Sequence, residues 1–272
     1  MVIPDSVTII GDYAFRGCDS LTDVYYTGSE AQWESIGIGY GNEDLTDATI
    51  HYNYVPASEG LEFTSNGGGT CYVSGIGSCE DTDIIIPSTS PDGYRVTGIG
   101  DAAFYECYDI TSVVIPDSVT SIGDEAFFGC SELGSVEIGD GVTSIGNSVF
   151  FACPLKSITV DSGNEYYKSI DGNLYTKNGN TLVQYAVGKS DTSFVIPDGV
   201  TIIAPYAFFS CDSLTSVVIP DSVTMICDMA FTSCGTLAEV YYTGSEEKWA
   251  QIKFYGHNDS LASANIHYNY TK

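Results

Sequence analysis

Nine cysteines and three histidines are the first residues of this chain to weigh as nucleophile, proton shuttle or soft metal ligand, and their spacing speaks against all three uses. Cys18, Cys107, Cys130, Cys153, Cys211 and Cys234 occupy one recurring position, each separated by two residues from an Ala-Phe pair or its equivalent. A reactive thiol needs a partly exposed, electropositive setting. A small apolar residue repeated at a fixed place near Phe belongs to an interior instead. We read a ladder of buried reduced thiols, because side chains stacked in parallel suit disulfide geometry poorly. Cys71 and Cys79 stand outside the ladder in a hairpin-like stretch where a bridge between them is open, and Cys227 replaces a repeat glycine. Paired Cys-x-x-Cys zinc spacing is absent from the sequence. His51 and His267 share the motif IHYNY and read as edge-strand residues. His257 would pair with Cys234 as a nucleophilic couple only if that thiol left the ladder.

Carboxylates form a second recurring column at Asp5, Asp117, Asp198 and Asp221, each directly after proline. Calcium takes about six to eight oxygens, but the repeat lacks the clustered acids that would supply them. Turn-forming aspartate accounts for the column better. No catalytic residue, metal or other cofactor is therefore expected.

These residues are positioned by a phrase, IPDSVT-x-IG-D-x-AF-x-x-C-x-x-LT-x-V, that recurs at a spacing of 23 residues. It starts at Ile3, Ile115, Ile196 and Ile219, and in diverged form at Ile86 and Ile138. A fixed period of that length marks a solenoid, in which each repeat is one coil and stacking builds the core. Within a coil, Leu214, Val217 and Ile219 predict a strand closed by Pro220. Val223 and Ile226 predict a second short segment, and Asp228 a brief helical turn carrying Ala230 and Phe231. Aspartate in that slot (Asp12, Asp101, Asp124, Asp228, with Asn147 equivalent) suits an acceptor for free N–H groups. Strand alternation points the residue between the two inward strand positions away from the core. That residue is Tyr25, Val114, Glu137, Thr159, Val218 and Tyr241 in successive coils, and these six are the candidate ligand-binding residues. Because they vary where the rest of the phrase does not, they are compatible with tuned recognition and equally with neutral drift.

A longer duplication frames the repeats. Residues 24–54 align without gaps to 240–270, sharing VYYTGSE, a tryptophan and IHYNY. Ser29 and Ser245 read as helix N-caps, and Trp33 with Ile36 (Trp249 with Ile252) as one helical face. Each copy follows a last repeat, where an open core needs a cover. The expected organisation is the capped end of a first array at 1–54, a linker at 55–60, and a second array at 61–272. The second array would hold an N-terminal hairpin cover at 61–85, a hairpin insertion at 161–195 and a C-terminal cap at 240–270. Met1 leads directly into the middle of a repeat, so a fragment of a longer protein is expected.

The phrase L-x-x-V-x-IP-x-x-V-T-x-IG-x-x-AF-x-x-C resembles the BspA-type (Treponema pallidum type) leucine-rich repeat of bacterial surface proteins, over about six coils. The resemblance implies an α/β repeat solenoid: a leucine-rich-repeat-like right-handed coil with short parallel strands, short helical turns and β-hairpin insertions. It also implies export to the cell surface and a non-enzymatic role in adhesion or binding of a host or microbial protein or glycan. Repeats that act only as a spacer or stalk are the alternative. The interruption at 161–195 departs from an unbroken array.

Charge narrows the partners. Thirty-six acidic residues against nine basic ones give a net charge of −27, which opposes nucleic acid and anionic membranes. No stretch approaches the about 18–20 apolar residues of a membrane span. A monomer is expected.

Overall fold

The computed structural model describes residues 1–54 and 56–271, in two compact units, Met1–Ala57 and Ser58–Lys272. Of the expected 55–60 linker, Val55 lies outside the described residues, and Ser58 is tied to the second unit by its N–H, which donates to Ile85 O (2.9 Å).

In the second unit the 23-residue period becomes a hydrogen-bond register. Strands Asp83–Ile85, Ser112–Ile115, Ser135–Ile138 and Ser157–Val160 form one parallel sheet, with Val113 paired to Val136 and Val136 to Ile158. The shorter segments Arg95–Ile99, Ser121–Ile122 and Ser144–Ile145 stack in a second sheet. That sheet is closed at one end by the antiparallel hairpin Glu62–Gly67/Thr70–Gly75. Past residue 190 the pattern resumes: Ser193–Val195, Ser216–Ile219, Glu239–Tyr242 and Asn265–His267 make a further parallel sheet. Apolar residues at the fixed offsets fill the interior, with Phe104, Phe127 and Phe150 stacked at 5.0 and 5.9 Å and Phe208 on Phe231 at 4.5 Å. Each such buried side chain contributes roughly 1.5–3 kcal/mol of transfer free energy.

The first unit repeats the plan at smaller scale. Val2–Ile3, Asp23–Tyr26 and Thr49–His51 are parallel, as are Ile9–Ile10 and Gly37–Ile38, around Ile3, Ile10, Val24, Tyr26, Ile36 and Leu45.

The brief helical turn expected at Asp228 is instead a run of tight turns. A helix would spend its N–H groups within the segment. Here alternate N–H groups reach the next coil, as when Ala102 donates to Asp124 O (2.9 Å), Phe104 to Ala126 O (2.8 Å) and Glu106 to Phe128 O (2.7 Å). The alternation is achieved by residues with positive φ, such as Ala102 (53°) and Glu106 (53°). The recurring aspartate does accept a free N–H, but from the neighbouring coil: Asp101 Oδ1 from Asp124 N–H (2.8 Å) and Asp124 Oδ1 from Asn147 N–H (2.7 Å). This contact explains the glycine before it, since a Cβ on Gly123 would lie 2.5 Å from Asp101 Oδ1 and one on Gly146 2.5 Å from Asp124 Oδ1.

Among the described residues, the α-helices are four short ones, all in the duplicated segments: Glu30–Glu34, Glu43–Thr46, Glu246–Trp249 and Asp259–Ser263. Ser29 and Ser245 are N-caps, as expected. Each copy ends the turn ladder with a buried asparagine: Asn42 Oδ1 accepts from Phe15 N–H (2.8 Å), and Asn258 Oδ1 from Phe231 N–H (2.9 Å).

The insertion begins on buried Asn164, whose Nδ2 donates to Gly139 O (3.0 Å) and Val142 O (2.9 Å). Antiparallel strands Tyr167–Ile170, Asn173–Thr176 and Thr181–Gln184 follow, and the last pairs in parallel with Ile202–Ile203. The hairpin thus extends a coil and joins the stack.

Candidate functional site

Register brings three of the six variable strand residues side by side. Val114 pairs with Glu137, and Glu137 with Thr159. Glu137 and Thr159 are exposed and Val114 half-buried. They line a shallow groove of ≈ 400 Å³ with Asp117 and Asp161 at its margin. Asp140 beside it has its carboxyl raised above the ordinary value, chiefly by the charge of Asp117, then by its own burial and by Asp161. The groove is therefore a negative surface across three coils.

The other three candidates have different surroundings. Val218 is only 8% exposed, against the expectation that it points to solvent. It lies in register between Val195 and Tyr241, and a valine between such neighbours is shaded by their side chains. Tyr241 stacks on His267 (4.9 Å) and packs at a tilt against Tyr270 (4.8 Å). Tyr25, in the first unit, likewise stacks on His51 (4.7 Å) and packs at a tilt against Tyr54 (4.8 Å). The histidines hold these stacks to carboxylates, His51 Nε2 to Asp23 Oδ1 at 2.8 Å and His267 Nε2 to Glu239 Oε2 at 2.6 Å. These bonds pull the Asp23 and Glu239 carboxyls below their ordinary values.

All nine cysteines are free thiols. Cys130, Cys153, Cys211 and Cys234 are buried, whereas Cys18 and Cys107 are half-buried, so the ladder is looser at those coils than expected. Within it the thiol donates to the preceding coil: Cys130 Sγ to Phe104 O (3.1 Å), Cys153 Sγ to Phe127 O (3.0 Å) and Cys234 Sγ to Phe208 O (3.0 Å). A coil preceding Cys107 offers no such phenylalanine carbonyl, because the hairpin stands there. Burial pushes the Cys234 thiol up to about 12, which leaves it protonated at neutral pH. His257 is bound elsewhere, Nδ1 to Asp228 Oδ1 at 3.1 Å. Cys71 is buried with its thiol toward the carbonyls of Tyr94 and Arg95, and no bridge to Cys79 forms.

The Asp column behind the prolines serves the turns. Asp117 Oδ1 accepts Asp140 N–H (2.9 Å), and Asp221 Oδ2 accepts from Lys248 Nζ (2.6 Å). Among the described residues, no group of three or more His, Cys, Asp or Glu side chains is placed to hold a metal ion, and no helix is long and apolar enough to cross a membrane.

One feature escaped the sequence reading. The second aromatic of the phrase builds an outer row, with Tyr105 on Phe128 (4.9 Å), Phe128 on Phe151 (4.5 Å) and Phe151 on Phe209 (4.0 Å). Its signal was the recurring aromatic after Ala-Phe, at the same offset as the exposed edge of each coil.

A family profile described as "BspA type Leucine rich repeat region" matches residues 1–38, 97–182 and 184–272, in six copies. No curated protein matches the chain in sequence. Among solved structures, a leucine rich cell surface protein from Faecalibacterium prausnitzii is 27% identical, covering 100% of this chain and 79% of that one at a TM-score of 0.49. A leucine-rich repeat protein from Bacteroides ovatus is 31% identical, covering 70% of this chain and 47% of that one at 0.48. The T. pallidum leucine rich repeat protein is 26% identical over 68% of this chain and 80% of that one, at 0.46. With the repeat phrase, its 23-residue register and a profile match over most of its length, the chain belongs to the BspA-type leucine-rich repeat family.

Proposed function

We propose that this protein is a non-enzymatic binding or adhesion module of a bacterial surface protein, recognising a macromolecular ligand through its strand face. The observation that carries the reading is the run Val114–Glu137–Thr159, three different side chains set side by side on a rigid register. A face of that kind can vary residue by residue without disturbing the coils beneath it. The organisation proposed with it is the end of one array at 1–54 and a second array at 61–272, each closed by its own cap.

The test is a glycan array together with pulldowns from host and bacterial surface proteins, using the whole chain. Saturable binding that falls at least about tenfold in Glu137→Lys and Thr159→Arg supports recognition by this face, a change of about 1.4 kcal/mol or more. Binding to nothing on either panel, or binding indifferent to both variants, favours the spacer.

A further inference from the structure

Between two repeat coils of the second unit the coil-to-coil ladder on the turn arm is interrupted. Before it, Glu125, Phe127 and Gly129 donate N–H to Asn147 O (2.9 Å), Val149 O (3.0 Å) and Phe151 O (2.8 Å). After it, Tyr206, Phe208 and Ser210 donate to Asp228 O (3.3 Å), Ala230 O (2.8 Å) and Thr232 O (3.0 Å). The equivalent donors between them, Ser148, Phe150 and Ala152, meet no acceptor among the described residues. The coil that would receive them is the hairpin insertion. Its Tyr185 N–H continues the ladder forward to Ala207 O (2.9 Å), and its contacts back lie elsewhere, with Gly188 N–H donating to Leu155 O (2.8 Å) and the Tyr167 hydroxyl accepting from Ile145 N–H (3.2 Å). The aspartate ladder breaks at the same point. Asn147 occupies the slot whose side-chain oxygen caps the next coil's N–H, and the residue in the facing slot is Pro205, which has none.

A slot of ≈ 190 Å³ lies at this break, lined by Asn147, Ser148 and Phe151 of one coil, Gln184 of the hairpin, and Pro205 and Tyr206 of the next. Gln184 is 8% exposed, and its Nε2 is spent on Tyr185 O (2.9 Å) and Ala207 O (3.2 Å). The amide oxygens of Gln184 and Asn147 are left as acceptors. Ser148 and Phe150 supply backbone donors, and Phe151 and Tyr206, 5.2 Å apart, supply aromatic surface. None of the lining residues is charged, in a chain of net charge −27.

Unspent donors and acceptors in a half-enclosed slot disfavour a purely apolar occupant, which would leave them unpaired. An uncharged lining offers an ion nothing to pair with. An extended peptide would want a row of alternating backbone donors and acceptors, whereas here the acceptors are side-chain amides beside aromatic rings. A sugar ring satisfies the set: its hydroxyls donate and accept, and its C–H face packs on an aromatic. The volume, below the about 300–1,000 Å³ of drug-sized pockets, suits one ring. The geometry points to a binding site for one neutral pyranose residue of a glycan, separate from the strand face.

The test is a backbone-amide NMR titration of the whole chain with methyl glycosides of neutral hexoses. Saturable shifts are expected at the Ser148 and Phe150 amides. Tyr206→Ala and, independently, the exposed-site variant Asn147→Ala are each expected to weaken binding by about tenfold. Tyr105→Ala, further along the aromatic row, and Glu137→Lys on the strand face are expected to stay within about twofold of the parent. The last variant separates failure of this site from failure of the strand-face reading. No shift at Ser148 and Phe150 with any sugar, or shifts whose affinity survives both slot variants, would overturn the assignment. So would shifts produced only by an uncharged strand-forming peptide.

Discussion

At the residue scale, two tyrosines of the hairpin insertion run against the usual economy of buried polar groups. The hydroxyls of Tyr175 and Tyr185 are buried with no hydrogen-bond partner among the described residues, and burial raises both phenols. Their rings are nonetheless used: Tyr185 stands where the repeats have phenylalanine and stacks on Phe208 at 4.9 Å. Removing an unpaired hydroxyl while keeping the ring loses no bond and relieves a desolvation penalty. Tyr185→Phe and Tyr175→Phe are therefore expected to leave the fold intact and raise stability by about 1 kcal/mol each. Urea denaturation checks this, and a loss of stability in either variant would show that its hydroxyl is paired in solution. Residue types at this scale were largely legible in the sequence. The cysteine column reads as interior, and four of its six members are buried. What misled was exposure: Val218 obeys strand alternation yet is shaded by neighbours that lie 23 residues away in the chain.

At the element scale, the duplicated segments differ from the coils before them in that their edges are held by histidine–carboxylate contacts. Asp23 and Glu239 are depressed first of all by hydrogen bonds from His51 and His267. A carboxyl whose folded value lies below its unfolded one contributes stability above the unfolded value and loses it as pH falls through the folded one. The edge strands Thr49–His51 and Asn265–His267 are thus expected to loosen as pH drops below about 4, the ordinary carboxylate range. An NMR pH titration following the Thr49 and Asn265 amides measures it, and His51→Ala and His267→Ala are expected to shift the transition upward. An identical profile in both variants would remove the contacts as the cause. The helix caps Ser29 and Ser245 were readable because capping is local. The turn segment at Asp228 has a helix-like sequence but is not helical, because its N–H acceptors sit on another coil and no window of sequence contains them.

At the scale of the whole molecule, charge is the dominant long-range term. A net charge of −27 repels itself in the compact state. The repulsion is concentrated where register stacks acids, as at Asp117, Asp140 and Asp161. Salt screens exposed charges over about 10 Å at 0.1 M. Raising sodium chloride from low salt to about 0.5 M is therefore expected to raise Tm by a few degrees. Scanning calorimetry checks this, and a Tm that falls or does not move would mean that the acids are already offset within the fold.

By itself the sequence determined the period, the inward residues, the helix caps and the family, because each is written in spacings short enough to lie within one repeat or between aligned copies. Tertiary structure alone decided which variable residues share a surface. It also showed that the recurring aspartate serves the next coil, and that the insertion completes a coil and opens a slot in doing so. The physical reason is the same in each case. A solenoid satisfies its backbone between coils, so both its hydrogen bonds and its gaps are fixed by residues a full turn or more apart.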